Sequence, residues 1–453
     1  MGREQGAWSR GCLLGVMLLG ACTESPQHDP APPAVGEWEE AAPAPSPVDT
    51  ATQVPPKPTP PRPTPPESAV KWLRLTPDWA WPGFVPVAGS EEVVVQGPLV
   101  AGSTDFVLNR LDAHGNIVWT RSYPHGEGWV SHVVADGSIY LLRTSSCGDD
   151  YHGPGACEEV VDFGGGNLFA SGVVKLDARG DFLWQYPIMS IASGLSVNEA
   201  GEVAVSSHAS NYSEGIHLTR LSPTGQVRWN GGGYNMRQSL VMDDARVWTT
   251  LEDGCKGPYS GEVGLFLCEY SANRTLLSQR ALPGLPMGLM PQADGSLVMQ
   301  LAYSQQLRWG DTVLPGSCRS SSRCEDSTGL VALSLEGTPT WAVRLPTESH
   351  PRYHVEGHNI WSLTCPTHDD GTWCARVVRL GTEGSVHAQK PLASPDWSSG
   401  PDKVRFHQVT RLPGGDLLLA GAFQGQVEIA GQKLSSEKPT GFLLRVTPED
   451  LSP

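Results

Sequence analysis

From residue 70 onward, the chain alternates short runs of β-branched and aromatic residues with turns rich in Gly, Asp and Asn. Period-two alternation punctuated by turn residues predicts β-strands joined by hairpins. One phrase recurs, in which an alternating strand leads through a tight turn into a strand that carries Trp. Its copies are FVLNRLDAHGNIVWTRSYP, GVVKLDARGDFLWQYP, IHLTRLSPTGQVRW, LFLCEYSANRTLLSQ, GLVALSLEGTPTWAVRLP, ARVVRLGTEGSVHAQ and a truncated GFLLRVTPEDLSP.

The tight turn of each full copy is assigned to a Gly or Asn, because these residues tolerate a positive φ. The turn residues are Gly115, Gly180, Gly225, Asn273, Gly337 and Gly384. Four residues later stand Trp119, Trp184, Trp229 and Trp341, replaced by Leu277 and Ala388 in the fourth and sixth copies. Another hairpin pattern precedes each copy, from VPVAGSEEVVV to VTRLPGGDLLLA, so the chain contains seven pairs of hairpins.

Seven four-stranded repeats are typical of an all-β, seven-bladed β-propeller of four-stranded antiparallel blades. A parallel β-helix is the competing fold, but its coils are usually shorter and are not built from hairpins. The seventh copy lacks its last strand, whereas VKWLRLTP at residues 70–77 repeats the Trp-to-Pro spacing found after Trp119 and Trp341. We therefore predict that this N-terminal strand closes the last blade and leaves no open sheet edge.

The phrase LDxxGxxxW resembles the tryptophan-docking repeat of quinoprotein-like propellers, usually AxDxxTGxxxW and here one residue shorter before the Gly. The resemblance implies that the Trp rings pack between blades. Similar repeats occur in bacterial surface propellers of no known activity and in an outer-membrane assembly lipoprotein. The related dehydrogenases use eight blades, adjacent cysteines and a Ca²⁺-bound quinone. None of these features maps onto residues of this chain, so we expect no cofactor.

The N-terminus predicts a lipoprotein signal peptide over residues 1–21. Arg3 and Arg10 form a basic region, and the apolar run GCLLGVMLLGA is too short to span a bilayer. The run ends in LGAC, which resembles the lipobox of bacterial lipoproteins and implies lipidation of Cys22. An ordinary secretory signal or membrane anchor is the alternative. Because Thr23 rather than Asp follows Cys22, we expect anchoring in the outer membrane, on its periplasmic or its surface-exposed side.

Residues 22–68 predict a disordered linker, because residues 23–68 contain 15 prolines and almost no apolar pattern. The run PPKPTPPRPTPPES favours extended polyproline II, which acts as a semi-rigid spacer. A ligand for a proline-recognising module is the other interpretation. The propeller is then predicted over residues 69–453.

Setting aside Cys12 in the signal and Cys22, eight cysteines remain, in four close pairs. The pairs are Cys147 with Cys157, Cys255 with Cys268, Cys318 with Cys324, and Cys365 with Cys374. An exported protein meets an oxidising compartment, so we expect four local disulfides. A zinc site is the alternative, but it needs two pairs to converge, and no CxxC occurs. All four pairs fall in or beside the connection between the second and third strands of units 2, 4, 5 and 6.

The chain is acidic, with 32 Lys and Arg against 48 Asp and Glu, and offers no basic stripe for nucleic acid. It contains no HExxH, GxSxG or P-loop motif, and no metal site is predicted. Residues before the first turn of each unit should line the top of an axial funnel and form a candidate binding face. They are Ser131, His132, Gln238, Ser239, Arg352, Tyr353, His407 and Gln408.

These patterns favour a monomeric, non-catalytic binding or scaffolding module that contacts an envelope protein or a glycan and meets the membrane only through its lipid anchor. The alternative is a propeller enzyme acting on polysaccharide, either a lyase or a glycosidase. That activity would require two carboxylates, or a His/Tyr/Arg set, to converge in the funnel. A quinone- or metal-dependent oxidoreductase is a third hypothesis.

Overall fold

The computed structural model describes residues 70–76, 82–97, 106–123, 129–144, 161–168, 171–188, 191–208, 216–233, 238–241, 246–252, 255, 264–292, 294–304, 306–320, 323–325, 327–345, 352–357, 359–364, 376–392 and 403–448. The predicted signal peptide and linker lie outside these residues. Within them, the secondary structure consists of β-strands.

The first four blades follow one another along the chain, after a strand β1 (Val70–Thr76). Blade 1 comprises β2 (Gly83–Pro86), β3 (Val93–Gln96), β4 (Phe106–Leu111) and β5 (Ile117–Tyr123). Blade 2 comprises β6 (Trp129–Val133), β7 (Ile139–Arg143), β10 (Ser171–Leu176) and β11 (Phe182–Ile188), with β8 (Val161–Asp162) and β9 (Asn167–Leu168) as an inserted hairpin. Blade 3 comprises β12 (Ile191–Val197), β13 (Val203–His208), β14 (Ile216–Leu221) and β15 (Val227–Gly233). Blade 4 comprises β16 (Gln238–Val241), β17 (Val247–Glu252), β18 (Leu265–Tyr270) and β19 (Leu276–Ala281).

The remaining three blades complete the series. Blade 5 comprises β20 (Leu285–Pro291), β21 (Leu297–Tyr303), β26 (Ser327–Leu333) and β27 (Pro339–Arg344), with two inserted hairpins, β22 (Gln306–Trp309) with β23 (Thr312–Pro315) and β24 (Ser317–Ser320) with β25 (Arg323–Glu325). Blade 6 comprises β28 (Arg352–Glu356), β29 (Asn359–Thr364), β30 (Arg376–Gly381) and β31 (Val386–Pro391). Blade 7 comprises β32 (Lys403–Arg411), β33 (Leu417–Ile429), β34 (Gln432–Val446) and β1.

The seven four-stranded antiparallel sheets form a seven-bladed β-propeller, which confirms the predicted fold class. The first strands of neighbouring blades contact one another, as β2 does with β6 and β28 does with β32, so these strands are innermost. Because the first and third strands of a blade run in the same direction, the turns that follow them emerge on one face. We call this the turn face. The opposite face, which carries the connections between second and third strands, is called the loop face.

The two ends of the propeller meet in one sheet, as predicted. β1 pairs antiparallel with β34, with Trp72 opposite Arg445 and Leu73 opposite Leu444. The indole Nε1 of Trp72 also donates to the backbone carbonyl of Ala113 in blade 1, at 3.1 Å. The N-terminal strand therefore completes blade 7 and, through its Trp, also joins that blade to blade 1.

A local hydrogen-bond pattern explains the LDxxG part of the repeat. In blade 1, the Gly115 N–H donates to the Asp112 carbonyl at 3.0 Å, and Asp112 Oδ1 accepts the N–H groups of His114 and Asn116. Gly115 has a φ of +75°, which favours glycine. Ser222, Ser271 and Ser334 accept the equivalent pair of N–H groups through Oγ in other blades. The turns are thus set by side chains within the turn itself.

The structure corrects the fourth copy by one residue. Arg274, with a φ of +65°, occupies the turn position, and not Asn273. The expectation relied on the greater tolerance of Asn for positive φ, but Ser271 sets the register by accepting the N–H groups of Asn273 and Thr275. Consequently Ser278, and not Leu277, stands where other blades carry Trp.

The Trp rings dock on the turn of the next blade, as the resemblance implied. Trp119 Nε1 donates to the carbonyl of Ala178 at 3.0 Å, and Trp184 and Trp229 make the same bond to Pro223 and Ala272. The contact leaves no room for a side chain at the turn glycine, since a Cβ on Gly225 would lie 2.8 Å from the Trp184 ring. The repeated phrase therefore encodes both a hairpin and its contact with a neighbouring blade.

Candidate binding face and blade junctions

All eight predicted funnel residues lie on innermost strands, namely β6, β16, β28 and β32. Ser131 and His407 are each passed over in the pairing register of their strand, which marks a β-bulge. The side chains of Ser131, Gln238, Ser239 and Arg352 lie outside the described part of the structure. The other four side chains do not converge on one point.

Gln408 and His407 are engaged at the junction between blades 7 and 1. The Phe84 N–H donates to Gln408 Oε1 at 3.2 Å, and Gln408 Nε2 donates to the Phe84 carbonyl at 2.7 Å. His407 Nε2 lies 2.8 Å from the carbonyl of Pro82. The Gln408 side-chain amide thus makes the two hydrogen bonds to Phe84 that the backbone of a paired strand would make. Gln408 and His407, which were predicted to line a ligand site, instead hold blades 7 and 1 together.

Polar side chains also link blades 5, 6 and 7. The Tyr353 hydroxyl donates to Gln300 Oε1 at 2.8 Å, and burial raises the pKa of this phenol. His354 Nδ1 lies 3.2 Å from the Thr410 hydroxyl, and burial lowers the pKa of the imidazole. Since each group is buried against a neighbouring blade, it stabilises a junction.

His132 is a predicted funnel residue with a buried side-chain atom that makes no hydrogen bond to the residues that the structure describes. Its Nδ1 is buried and makes no hydrogen bond in the described structure. Burial lowers the pKa of the imidazole to about 4, so the ring is neutral near pH 7. A neutral imidazole can act as a base, but β6, the strand that carries His132, contains no Asp or Glu that could act together with it.

The described innermost strands contain one carboxylate, that of Glu356. Glu356 forms an ion pair with Arg411 of blade 7. Glycoside hydrolysis generally needs two carboxyl groups flanking the scissile bond. The described inner strands therefore do not supply that pair. Among the residues that the structure describes, no three His, Cys, Asp or Glu side chains are grouped to hold a metal ion.

The loop face carries β-hairpins that fold back onto the preceding blade. Phe163, between β8 and β9, packs against Phe106 and Tyr123 of blade 1, with ring centroids 5.9 and 5.2 Å apart. In the extended hairpin of β33 and β34, the Ala430 N–H donates to the carbonyl of Leu392 in blade 6 at 2.8 Å. In blade 5, β23 of the inserted hairpin instead contacts β27, the outermost strand of the same blade. These insertions are thus fixed parts of the propeller.

One predicted disulfide is present, between Cys255 and Cys268. Cys255 lies in the connection that follows β17, and Cys268 lies in the buried strand β18. The Tyr270 hydroxyl donates to the Cys255 carbonyl at 2.6 Å and adds a second attachment. Cys318 and Cys324 stand directly opposite each other in the register of β24 and β25. Cys147, Cys157, Cys365 and Cys374 lie outside the described residues.

A cation–carboxylate pair recurs near the turn face, between the third strand and the residue before the second strand. The pairs are Arg110 with Glu92 (2.6 Å), Arg220 with Glu202 (3.1 Å), Arg445 with Asp416 (2.7 Å) and Arg246 with Glu269 (2.6 Å). In the last pair, in blade 4, the two signs are exchanged between the positions. The exchange indicates that opposite charge, rather than either residue type, is what the site requires.

Two grooves were not predicted. One, of about 840 Å³, lies between β5 and the β8–β9 hairpin and includes Arg121, Tyr123 and Phe163. The other, of about 660 Å³, lies at the turn face of blade 5 and includes Ala332 and Trp341. The second could have been found by aligning the repeats, because the position of Ala332 holds a long charged residue in the other six copies. Those residues are Arg110, Lys175, Arg220, Glu269, Arg379 and Arg445.

No protein-family model matches this chain, and no curated protein does. Solved structures do resemble it. A protein of unknown function from Bacteroides caccae is 14% identical, with a TM-score of 0.35, over 64% of this chain and 92% of that one. The β-propeller domain of the trilobed protease from Pyrococcus furiosus is 7% identical, with a TM-score of 0.43, over 81% and 96%. Apo AztD from Citrobacter koseri is 9% identical, with a TM-score of 0.39, over 75% and 95%. At these identities, the likeness concerns the fold alone.

Proposed function

We propose that the chain is a bacterial envelope lipoprotein whose propeller is a non-catalytic binding or scaffolding module for an envelope protein or a glycan. The observation that carries this proposal is the construction of the loop face. Three of its hairpins, β8–β9, β22–β23 and the extended β33–β34, are anchored to neighbouring strands, and the Cys255–Cys268 disulfide fixes another connection. A rigid surface loses little conformational freedom when a partner binds, which favours recognition.

The alternative of a polysaccharide-degrading enzyme has less support. The polar side chains that a lyase would use, such as Tyr353, His354 and His407, are each bonded at a different blade junction. The single carboxylate of the described inner strands is paired with Arg411. These groups therefore contribute to ring assembly, which is compatible with a binding module.

The anchor is a separate part of the proposal. Lipidation at Cys22 would tether the protein to the outer membrane, and the proline-rich residues 23–68 would hold the propeller away from the bilayer. The described part of the chain contains no helix that is long and apolar enough to cross a membrane. In this proposal, the lipid at Cys22 holds the propeller at the membrane.

Replacing Cys22 with Ser is expected to move the protein from the membrane fraction to the soluble fraction, because the acylated thiol is lost. Fractionation with metabolic labelling by a palmitate analogue measures both partitioning and acylation. Cys12→Ser is the matched control, since it changes a cysteine within the predicted signal but leaves the lipobox intact. Unchanged partitioning of the Cys22 variant would contradict lipidation.

Charge changes on the loop-face hairpins are expected to abolish partner capture. Arg308 lies on β22, and Glu428 and Lys433 are opposite each other in the blade 7 hairpin, with all three side chains exposed. We would tag full-length protein and the variant Arg308→Glu/Glu428→Lys/Lys433→Glu, and compare capture from detergent-solubilised envelope and on a glycan array. The expected result is at least about a tenfold loss of capture.

The matched control is Arg179→Glu/Glu199→Lys, which reverses two exposed charges on the turn face. It should capture the same partner as the unchanged protein. Equal capture by both variants would contradict recognition through the loop face. A polysaccharide shortened on incubation with the purified protein would instead support the enzyme hypothesis.

A further inference from the structure

In blade 1, the side chain of Arg110 fills the space beside Trp119 at the turn face. Arg110 lies 2.6 Å from Glu92, which precedes β3, and donates to the carbonyl of Ala178 in blade 2 at 2.9 Å. It also lies against Gly137, the turn glycine of blade 2, where a Cβ would be 2.9 Å from Arg110 Nη1. The same Ala178 carbonyl accepts Trp119 Nε1. The guanidinium is thus enclosed by a carboxylate, a carbonyl and a neighbouring glycine.

Blade 5 has the same frame without the arginine. Ala332 pairs with Trp341 in β27 just as Arg110 pairs with Trp119. Ser296 precedes β21 as Glu92 precedes β3, and Gly357 lies in the turn between the first and second strands of blade 6, the same turn that contains Gly137 in blade 2. Ala332, Trp341, Ser296 and Gly357 all line the groove of about 660 Å³. The cavity therefore occupies the place where blade 1 holds its own guanidinium.

The rim of this groove is anionic. Asp294 Oδ1 accepts the N–H and the hydroxyl of Ser296, and Glu336 Oε2 accepts the Ser334 hydroxyl at 2.7 Å. These hydrogen bonds lower the pKa of both carboxyls, so both are ionised near pH 7. Arg280 is the cation that acts on Glu336, and it is not among the residues that line the groove.

We propose that the groove beneath blade 5 binds an arginine side chain of a partner protein or peptide, in place of the arginine that blade 1 supplies from its own third strand. A guanidinium matches the site because it pairs with carboxylates and stacks on an indole face. The volume lies within the range of about 300–1,000 Å³ that is typical of ligand sites, which leaves room for backbone on either side of the arginine. This site is on the turn face and does not depend on the function proposed for the loop face.

The test is a ¹⁹F NMR titration of the full-length protein labelled with 5-fluorotryptophan. The Trp341 signal is assigned among the 15 tryptophans by its loss in Trp341→Phe. Acetyl-Gly-Arg-Gly-amide should shift this signal saturably, with half-saturation below about 5 mM. The citrulline peptide, which is neutral and of nearly the same shape, should bind at least about tenfold more weakly. Equal binding of the two peptides, or no shift, would overturn the proposal.

Two variants test the site itself. Ala332→Arg/Ser296→Glu recreates the blade 1 pair and should reduce arginine-peptide binding at least about tenfold. Asp294→Asn/Glu336→Gln keeps the hydrogen-bond acceptors but removes the charge, and should weaken binding without filling the groove. Val386→Arg, at a position that is 58% exposed on blade 6, adds a charge elsewhere and should bind like the unchanged protein. If both groove variants bound the arginine peptide as the unchanged protein does, the peptide would bind outside the groove and the proposal would be wrong. If free arginine amide bound more tightly than the peptide, the ligand would not be an arginine within a peptide chain.

Discussion

Deleting Val70–Thr76 is expected to abolish the cooperative unfolding transition of the propeller. The deletion removes the outermost strand of blade 7 and exposes the paired edge of β34 from Gly441 to Val446. It also removes Trp72, which packs with buried residues of blades 1 and 7, and Leu73, which packs in the core of blade 7. Truncating one large core side chain costs about 2–5 kcal/mol. Loss of a whole strand is therefore comparable with a typical total stability of about 5–15 kcal/mol.

The measurement is thermal and denaturant unfolding followed by circular dichroism. Deleting residues 54–64 of the predicted linker is the matched control and should leave the transition unchanged. A permuted variant carries VKWLRLT after the C-terminus instead of before Pro77. Because Val70 pairs with Val446, the moved strand can follow β34 as the second strand of a hairpin and occupy its original place in blade 7. This variant should regain the cooperative unfolding transition. A deletion variant as stable as the full chain would contradict closure by β1.

Arg445→Met is expected to lower the free energy of unfolding by about 3–5 kcal/mol, because it leaves the buried carboxylate of Asp416 and the partly exposed carboxylate of Glu91 without their cation. Arg445 lies in β34 and is 7% exposed. Its guanidinium lies 2.7 Å from Asp416 and 2.5 Å from Glu91, and donates to the Ala113 carbonyl at 2.8 Å. Since Glu91 and Ala113 belong to blade 1, the loss should fall on the junction that closes the ring.

Urea denaturation of Arg445→Met and of Arg121→Met gives the comparison. Arg121 also pairs with a carboxylate of the next blade, Asp181 at 2.7 Å, but the two side chains are 44% and 58% exposed. An exposed pair contributes at most about 1 kcal/mol. If both variants lost a similar, small amount of unfolding free energy, the expectation that the buried Arg445 ion pairs stabilise the protein more than an exposed pair would be wrong. The loss of unfolding free energy in Arg445→Lys should lie between the losses in Arg445→Met and Arg121→Met, since lysine keeps the charge but lacks the planar guanidinium with its several donors.

The seven repeats could be recognised in the sequence because each turn and each hairpin is stabilised by residues close together in the chain. Asp112 bonds to His114 and Asn116, two and four residues away, so the signal is local. The fourth copy was misaligned for a related reason. Arg274 adopts a positive φ although it is not a glycine, because hydrogen bonds to the Ser271 side chain fix the turn.

The closure of the ring was also determined by the sequence, since a strand with the right Trp spacing was missing at one end and present at the other. The sequence could not show which blade a side chain would contact. Gln408 bonds to Phe84, more than three hundred residues away, and Arg445 reaches Glu91 across the same junction. Only the tertiary structure showed that three of the predicted funnel residues, Tyr353, His407 and Gln408, make contacts at blade junctions. Such contacts depend on how neighbouring sheets approach one another, whereas hairpin patterns depend on residues adjacent in the chain.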